Sequence, residues 1–216
     1  MLAYLFSNPL MFVFYLVALF VAITIHEFAH AWTADLLGDP TPRLQKRITL
    51  NPKAHIDPFG FLFLFIFGFG WGRPVEFDPF NLKNPRRDTA IISLAGPVSN
   101  LILALLLSFL LKLFIFFEVK VFYTIGSLIF VPMIYLNVIL AVFNLLPVHP
   151  LDGFKIVGGF LPEKQAREWY QLERYGLIFL LMMFVPLGGS SMVDLLIRPV
   201  VSFLTNLLLP FSSRII

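Results

Sequence analysis

Val21-Ala22-Ile23-Thr24-Ile25-His26-Glu27-Phe28-Ala29-His30-Ala31-Trp32 is the stretch around which the chain is read. It lies in an apolar run that starts at Leu10 and carries no charge before Glu27. Two histidines four apart share one face of an α-helix, so both imidazoles can reach one metal ion. Glu27 stands beside them, where a carboxylate can take a proton from water at that metal. Ionisable groups within a membrane span are costly, about 2.5–3.5 kcal/mol each on insertion scales. Three of them in five residues require a partner, and a metal ion supplies one. The plainer alternative is a buried polar knot that packs helices together.

Composition sets the surroundings of that stretch. Of 216 residues, 58% are hydrophobic and only 13% are charged. A soluble domain would be nearer a quarter charged. The chain reads as one membrane-embedded domain over residues 1–216, with a core at 8–155 and C-terminal helices over 156–216. There is no cysteine, so neither a disulfide framework nor a thiolate metal site is available. Any metal must use histidine, carboxylate or water. The net charge of +3 does not point to nucleic acid, because the basic residues cluster in loops bordering apolar spans. The N-terminal segment has no Lys, no Arg and no small-residue cleavage site, so it reads as a retained span.

Asn8-Pro9 can start the first helix as cap and first-turn proline. The apolar pattern stops at Gly38-Asp39-Pro40. From Leu10 to Leu37 such a helix is about 42 Å long, enough to cross a bilayer. His26 falls about 17 Å from its C-terminal end. A polar loop over 38–58 follows, whose Arg43, Lys46, Arg47 and Lys53 read as headgroup anchors. The run from Phe59 to Gly72 is too short to span comfortably, rich in aromatics and closed by glycines. It reads as a membrane-dipping β-hairpin or re-entrant loop, with a lipid-facing Phe-rich helix as the alternative. Further spans are expected at about 89–111 and 121–146, and two weaker apolar segments at about 175–187 and 192–211. The fold expected is an all-α polytopic membrane protein with about five transmembrane helices and the short dipping element.

If 59–72 returns to its own side, residues 38–87 hold eight Lys and Arg and 152–174 hold four. With Arg214 the bias is 13 to 3, against Lys112, Lys120 and Arg198. Such a bias places the first group in the cytoplasm. The motif end of the first helix and Asp152 then both lie toward the cytoplasmic face.

A catalytic zinc takes three protein ligands and keeps one position open. Candidates for the third are Asp152, His149, His55, Asp57 and Asp35. Asp35 lies about 140° round the helix from His30 and points away. Asp152 follows a proline break at the end of a span, where irregular backbone can turn a carboxylate inward.

Three stretches in order resemble the site-2 protease family of intramembrane zinc metalloproteases. They are His26-Glu27-x-x-His30, Ala95-Gly96-Pro97-x-x-Asn100 and Asn144-x-x-Pro147-x-x-Pro150-Leu151-Asp152-Gly153. His55-x-Asp57-Pro58-x-Gly60 and Gly70-Trp71-Gly72-Arg73-Pro74-Val75 are similar to its compact prokaryotic branch. Together these cover roughly residues 20–155. The resemblance implies one Zn2+ per chain, bound by His26, His30 and Asp152, with Glu27 as base. It implies that Asn144 helps hold the substrate carbonyl or its oxyanion. It further implies a transmembrane protein as substrate and a prokaryotic cell membrane as location. Many relatives carry a PDZ domain or a nucleotide-binding pair of motifs, and this chain has room for neither.

Other roles are open for the remaining polar residues. His55, Asn100 and His149 are candidates for substrate binding or for supporting the ligands. Asn100 and Asn144 could instead bond neighbouring helices, and His149 could be structural between its prolines. Gly96-Pro97 reads as a packing and kink feature. The rival function is a metal transporter or a non-catalytic metal-binding scaffold, since intramembrane His and carboxylates also mark ion paths. A transporter expects ligands along a through-path, whereas all four histidines here lie toward one face.

Overall fold

The computed structural model of the chain describes residues 3–67, 70–118 and 120–210. A short turn, α1 (Ala3–Ser7), leads into α2 (Pro9–Leu36). Asn8 caps α2, its side chain accepting from the Met11 N–H at 3.2 Å, and Pro9 takes the first turn. Proline suits that position because its missing N–H would be unpaired there anyway. Buried Ala18, Ala22, Ala29, Ala31 and Ala34 line α2. Small side chains let helices approach closely where lipid gives no hydrophobic drive between them.

After α2 the chain turns through Asp39 and a single helical turn, α3 (Thr41–Leu44). The Asp39 carboxylate is fully buried and accepts from the Thr41 N–H and hydroxyl, the Asp78 N–H and the Asn81 amide, at 2.6–3.1 Å. Burial works against its charge, but these donors outweigh it and hold Asp39 below the usual carboxylate range. One side chain thus ties the end of α2 to the loop at 78–81.

Residues 59–72 correct an expectation. The β-hairpin is not formed over Pro58–Phe67, which is a ten-residue helix, α4. Local chemistry starts it: Pro58 stands in the first turn and the Asp57 carboxylate accepts the Gly60 N–H at 2.7 Å. In an apolar setting a helix also satisfies its backbone internally, which a two-stranded hairpin with open edges does not. Residues 68 and 69 lie outside the described residues. The chain then comes back extended, and Gly72 forms an antiparallel bridge with Ile56. The segment therefore returns to its own start, as a re-entrant element does, with a helix where strand was expected.

Helix α5 (Pro85–Phe116) packs on α2, on α6 (Lys120–Asn144) and on α7 (Asp152–Phe160). It is the central helix of the fold. Next come α8 (Glu163–Tyr170), whose Trp169 donates to the Phe154 carbonyl at 2.8 Å, and α9 (Glu173–Phe184). A tight turn pairs β1 (Pro186–Leu187) with β2 (Ser190–Ser191). The last helix, α10 (Met192–Leu208), starts at a Ser191–Asp194 capping box. Its Ile197, Val201 and Leu208 pack with Ala104, Leu107, Ile134 and Val138 in the main apolar core. Lys112 donates to the Leu207 carbonyl at 3.3 Å, so α10 ends beside the Lys112 end of α5.

Among the described residues, three helical stretches are long and apolar enough to cross a bilayer: Pro9–Leu36, Pro85–Phe116 and Thr124–Asn144. Two of the five segments expected fall short of that length. At 12 residues α9 measures about 18 Å, well under a ~30 Å hydrocarbon core. At 17 residues α10 comes closer. The chain is a mostly helical, multi-pass membrane protein.

Candidate metal centre

Helix α2 supplies His26 and His30, and both are buried. Their Nε2 atoms stand 3.0 Å apart. Asp152, the first residue of α7, brings Oδ2 to 3.0 Å from His26 Nε2 and 3.2 Å from His30 Nε2. Three candidate ligand atoms thus form a near-equilateral triangle. A tetrahedral zinc with bonds of about 2.0–2.2 Å sets its ligands roughly 3.3–3.6 Å apart, close to that triangle. Among the described residues, no other three His, Cys, Asp or Glu converge in this way.

Hydrogen bonds behind the triangle show that it suits a cation. His26 Nδ1 bonds the Asn100 side-chain oxygen at 2.7 Å, and His30 Nδ1 bonds the Ile92 carbonyl at 2.7 Å. An oxygen acceptor requires that each Nδ1 carry the hydrogen. In a neutral imidazole the Nε2 atom then presents a bare lone pair. Asp152 Oδ2 is buried and has no hydrogen-bond donor. Two lone pairs and a carboxylate oxygen facing one another repel unless a cation lies between them. His149, His55, Asp57 and Asp35, the other candidates for third ligand, are engaged elsewhere.

Glycine makes the enclosure. A Cβ at Gly96 would lie 2.5 Å from His30 Nε2 and 2.7 Å from His26 Cε1, so only glycine lets α5 close over both rings. A Cβ at Gly153 would meet the Leu145 and Leu146 carbonyls at 2.3 and 2.4 Å. Gly153 therefore lets α7 abut the end of α6, which carries Asp152 to the histidines. Gly96 has a larger role than the packing and kink read from sequence. We expect Gly96→Ala to weaken zinc binding at least about 10-fold, the scale of disturbing a ligand's surroundings, because its methyl group would push both imidazoles out of position, with the helical content of the protein unchanged. Zinc titration against a chelator of known affinity checks this; wild-type affinity would refute it.

Glu27 points from α2 toward the chain that returns from α4. Its Oε2 accepts the Val75 N–H at 2.8 Å. That chain is braced from behind: the Arg73 N–H donates to the His55 carbonyl at 2.7 Å, and the buried Arg47 guanidinium donates to the Arg73 carbonyl. His55 is fully buried and bonds the Thr49 carbonyl through Nε2 at 2.8 Å. Burial, helped by Arg47, holds His55 below the ordinary histidine range, against the Thr49 carbonyl and Glu27. His55 lies outside the ligand triangle and supports the loop that orients Glu27. From sequence Val75 stands only within the Gly70–Val75 resemblance and Arg47 only as a headgroup anchor; neither the backbone N–H that holds Glu27 nor the brace behind it leaves a side-chain motif.

Asn100 is fully buried and sits behind His26, holding that candidate ligand's imidazole. Its amide donates to the Ala22 carbonyl at 2.9 Å and to Asn137 Oδ1 at 2.7 Å. Asn144 ends α6 and donates to the Leu140 carbonyl at 3.0 Å. It lies outside the triangle but directly precedes the two residues that abut Gly153. His149 packs edge-on against Phe154, with Nδ1 3.8 Å from Glu173. It faces α9, not the metal. Asp35 pairs with Arg43, and Asp57 caps α4.

The sequence model of peptidase family M50 matches residues 14–129 and 122–187, which include every residue of the triangle. The chain belongs to peptidase family M50. Membership bears out the resemblance read from the ordered motifs. YwhC of Bacillus subtilis strain 168, provisionally named a zinc metalloprotease, is 44% identical over 186 residues, covering 84% of this chain and 85% of YwhC. Rip2 of Mycobacterium tuberculosis strain H37Rv, named in the same way, is 31% identical over 180 residues, covering 81% of this chain and 67% of Rip2. Rip2 of Mycolicibacterium smegmatis is 29% identical over 171 residues. No solved structure matches the chain.

Proposed function

We propose that this M50 peptidase is an intramembrane zinc endopeptidase, with His26, His30 and Asp152 as zinc ligands and Glu27 as general base. The observation that carries the reading is the convergence of two bare Nε2 atoms and a donor-free carboxylate oxygen, with a carboxylate one residue from the first ligand. Zinc bound there would polarise the scissile carbonyl and make an attacking water more acidic. Glu27 takes the proton of that water and passes it to the leaving amine. Its Oε2 accepts the Val75 N–H, which orients the carboxylate. Asn144, at the junction that carries Asp152, is the side chain assigned to the substrate carbonyl.

The substrate class follows from the setting. Two of the three proposed ligands, His26 and His30, sit on a helix long and apolar enough to cross a membrane, so a peptide bond reaching them belongs to a segment within or beside the bilayer. A helix hides its peptide groups in its own hydrogen bonds, so the substrate must unwind locally to be cut. Purified zinc-loaded protein in liposomes should therefore cleave one or more of a panel of single-span proteins inside or next to the apolar segment, as mapped by mass spectrometry. Failure to cleave any of them would sink the reading. Nothing in the structure favours a transporter: among the described residues the ligands form one cluster, with no second set along a path.

Orientation is part of the same proposal. The C-terminal end of α2, the loop at 38–58 and the start of α7 lie at one end of the bundle, and that end holds most of the Lys and Arg. That excess supports a cytoplasmic location for this end. The chain has no cysteine, so Lys46→Cys and Lys164→Cys are clean probes. Both should resist an impermeant thiol reagent in intact cells and react after lysis. Labelling from outside would reverse the topology.

A further inference from the structure

We infer that Asn137, on α6, is a positioning residue for the metal centre: it sets the polarity of Asn100, and through it the His26 tautomer that offers a bare Nε2 to the metal. The inference rests on the zinc reading above.

Two backbone carbonyls fix the direction of this relay. Asn137 Nδ2 donates to the Met133 carbonyl at 2.8 Å, and a carbonyl can only accept. The other arm of Asn137, Oδ1, is therefore what faces Asn100. It accepts from Asn100 Nδ2 at 2.7 Å. The second hydrogen of that Nδ2 goes to the Ala22 carbonyl at 2.9 Å. Both amide hydrogens of Asn100 are then committed, and its Oδ1 is left toward His26 Nδ1. The imidazole must donate from Nδ1, which keeps Nε2 free of hydrogen. Four residues on three helices thus carry one polarity from Met133 to the ligand atom.

The burial of Asn137 has two readings, a bond that joins α6 to α5 or a relay to the metal centre. It is fully buried at a turn of α6 whose buried neighbours are Ile134, Val138 and Ala141. An apolar side chain would pack there without placing a polar amide in a membrane interior. If Asn137 only joined α6 to α5, its loss would change stability and leave metal affinity alone. In the relay its loss leaves one Asn100 hydrogen unpaired, and the Ala22 carbonyl alone opposes a flip of the amide. The flipped amide turns a donor toward His26 Nδ1, which favours hydrogen on Nε2, in competition with the metal. Removing a partner behind a metal ligand typically lowers affinity about 10–100-fold.

The test compares purified wild type, Asn137→Leu, Asn137→Asp and Val138→Ala for zinc release to a chromogenic chelator and for the unfolding midpoint. Asn137→Leu should release zinc at least about 10-fold more readily. A protonated aspartic acid reproduces the polarity, with its carbonyl toward Asn100 and its hydroxyl toward Met133, so Asn137→Asp should hold zinc as wild type does. Val138→Ala should unfold earlier and hold zinc normally, because it perturbs packing outside the relay. Asn137→Val, which is smaller, gives the same readout where Asn137→Leu fails to fold. Wild-type zinc retention in the apolar variants would overturn the inference, as would equal leakiness of Asn137→Asp. Absence of zinc from the wild type would instead defeat the zinc reading itself, so the two failures are distinct.

Discussion

Glu27→Gln protein should keep its zinc and lose peptide cleavage by at least about 10²-fold, the lower end of what a positioned base contributes. The substitution changes almost nothing else. Glutamine keeps the length of the side chain and an amide oxygen that can still accept the Val75 N–H. None of the three candidate ligands is altered, so metal content is a built-in control. What disappears is the group that takes the proton from water and returns it to the amine. The measurement is cleavage of one single-span substrate at equal zinc loading for the two proteins. Cleavage at the wild-type rate would remove Glu27 from the mechanism and leave the metal site standing.

His26→Ala and Asp152→Ala should each abolish cleavage and reduce zinc from about one per chain to a small fraction of that, since two ligands do not hold a catalytic zinc. The two variants test different parts of the fold. His26→Ala removes an atom contributed by α2. Asp152→Ala removes the atom that α7 brings in through the junction at Gly153. Asp152→Ala also removes a buried carboxylate that has no cation beside it in the metal-free protein, so the metal-free variant should fold at least as well as metal-free wild type. That outcome separates loss of ligation from loss of structure. Elemental analysis after exhaustive dialysis reads the first quantity and the unfolding midpoint reads the second. Full zinc content in both variants would refute the ligand set.

Much of the site was legible because its chemistry is local. His26 and His30 share a face through helical spacing alone, and Glu27 comes with them. Asp152 was one of five candidates, of which helix geometry set Asp35 aside; the proline break before Asp152 allowed it to turn inward, and the family resemblance named it as a ligand. The α2 boundaries were legible too, since Asn8-Pro9 and the Gly38-Pro40 break act on the residues beside them. Residues 58–67 misled for an instructive reason. Aromatic side chains favour strands through packing on a pleated surface, and this segment has no such neighbour. The Asp57 cap, Pro58 and the cost of open backbone in an apolar setting outweighed that preference.

By itself, then, the sequence determined what depends on neighbours along the chain: the membrane class, the main helices, and two candidate ligands with a candidate base between them. Tertiary structure alone decided how Asp152, the carboxylate named by the resemblance, reaches the two histidines, which hydrogen each imidazole keeps, and why glycine stands at 96. His26 and Asn100 are 74 residues apart, and His30 and Ile92 are 62 apart. Contacts at such separations have no period or spacing to read, because the helices between them set the distance. Their polarity is decided by backbone carbonyls that every residue has, so nothing in the side-chain alphabet marks them. The candidate metal centre is specified by that packing, which turns three separate side chains into one set of lone pairs.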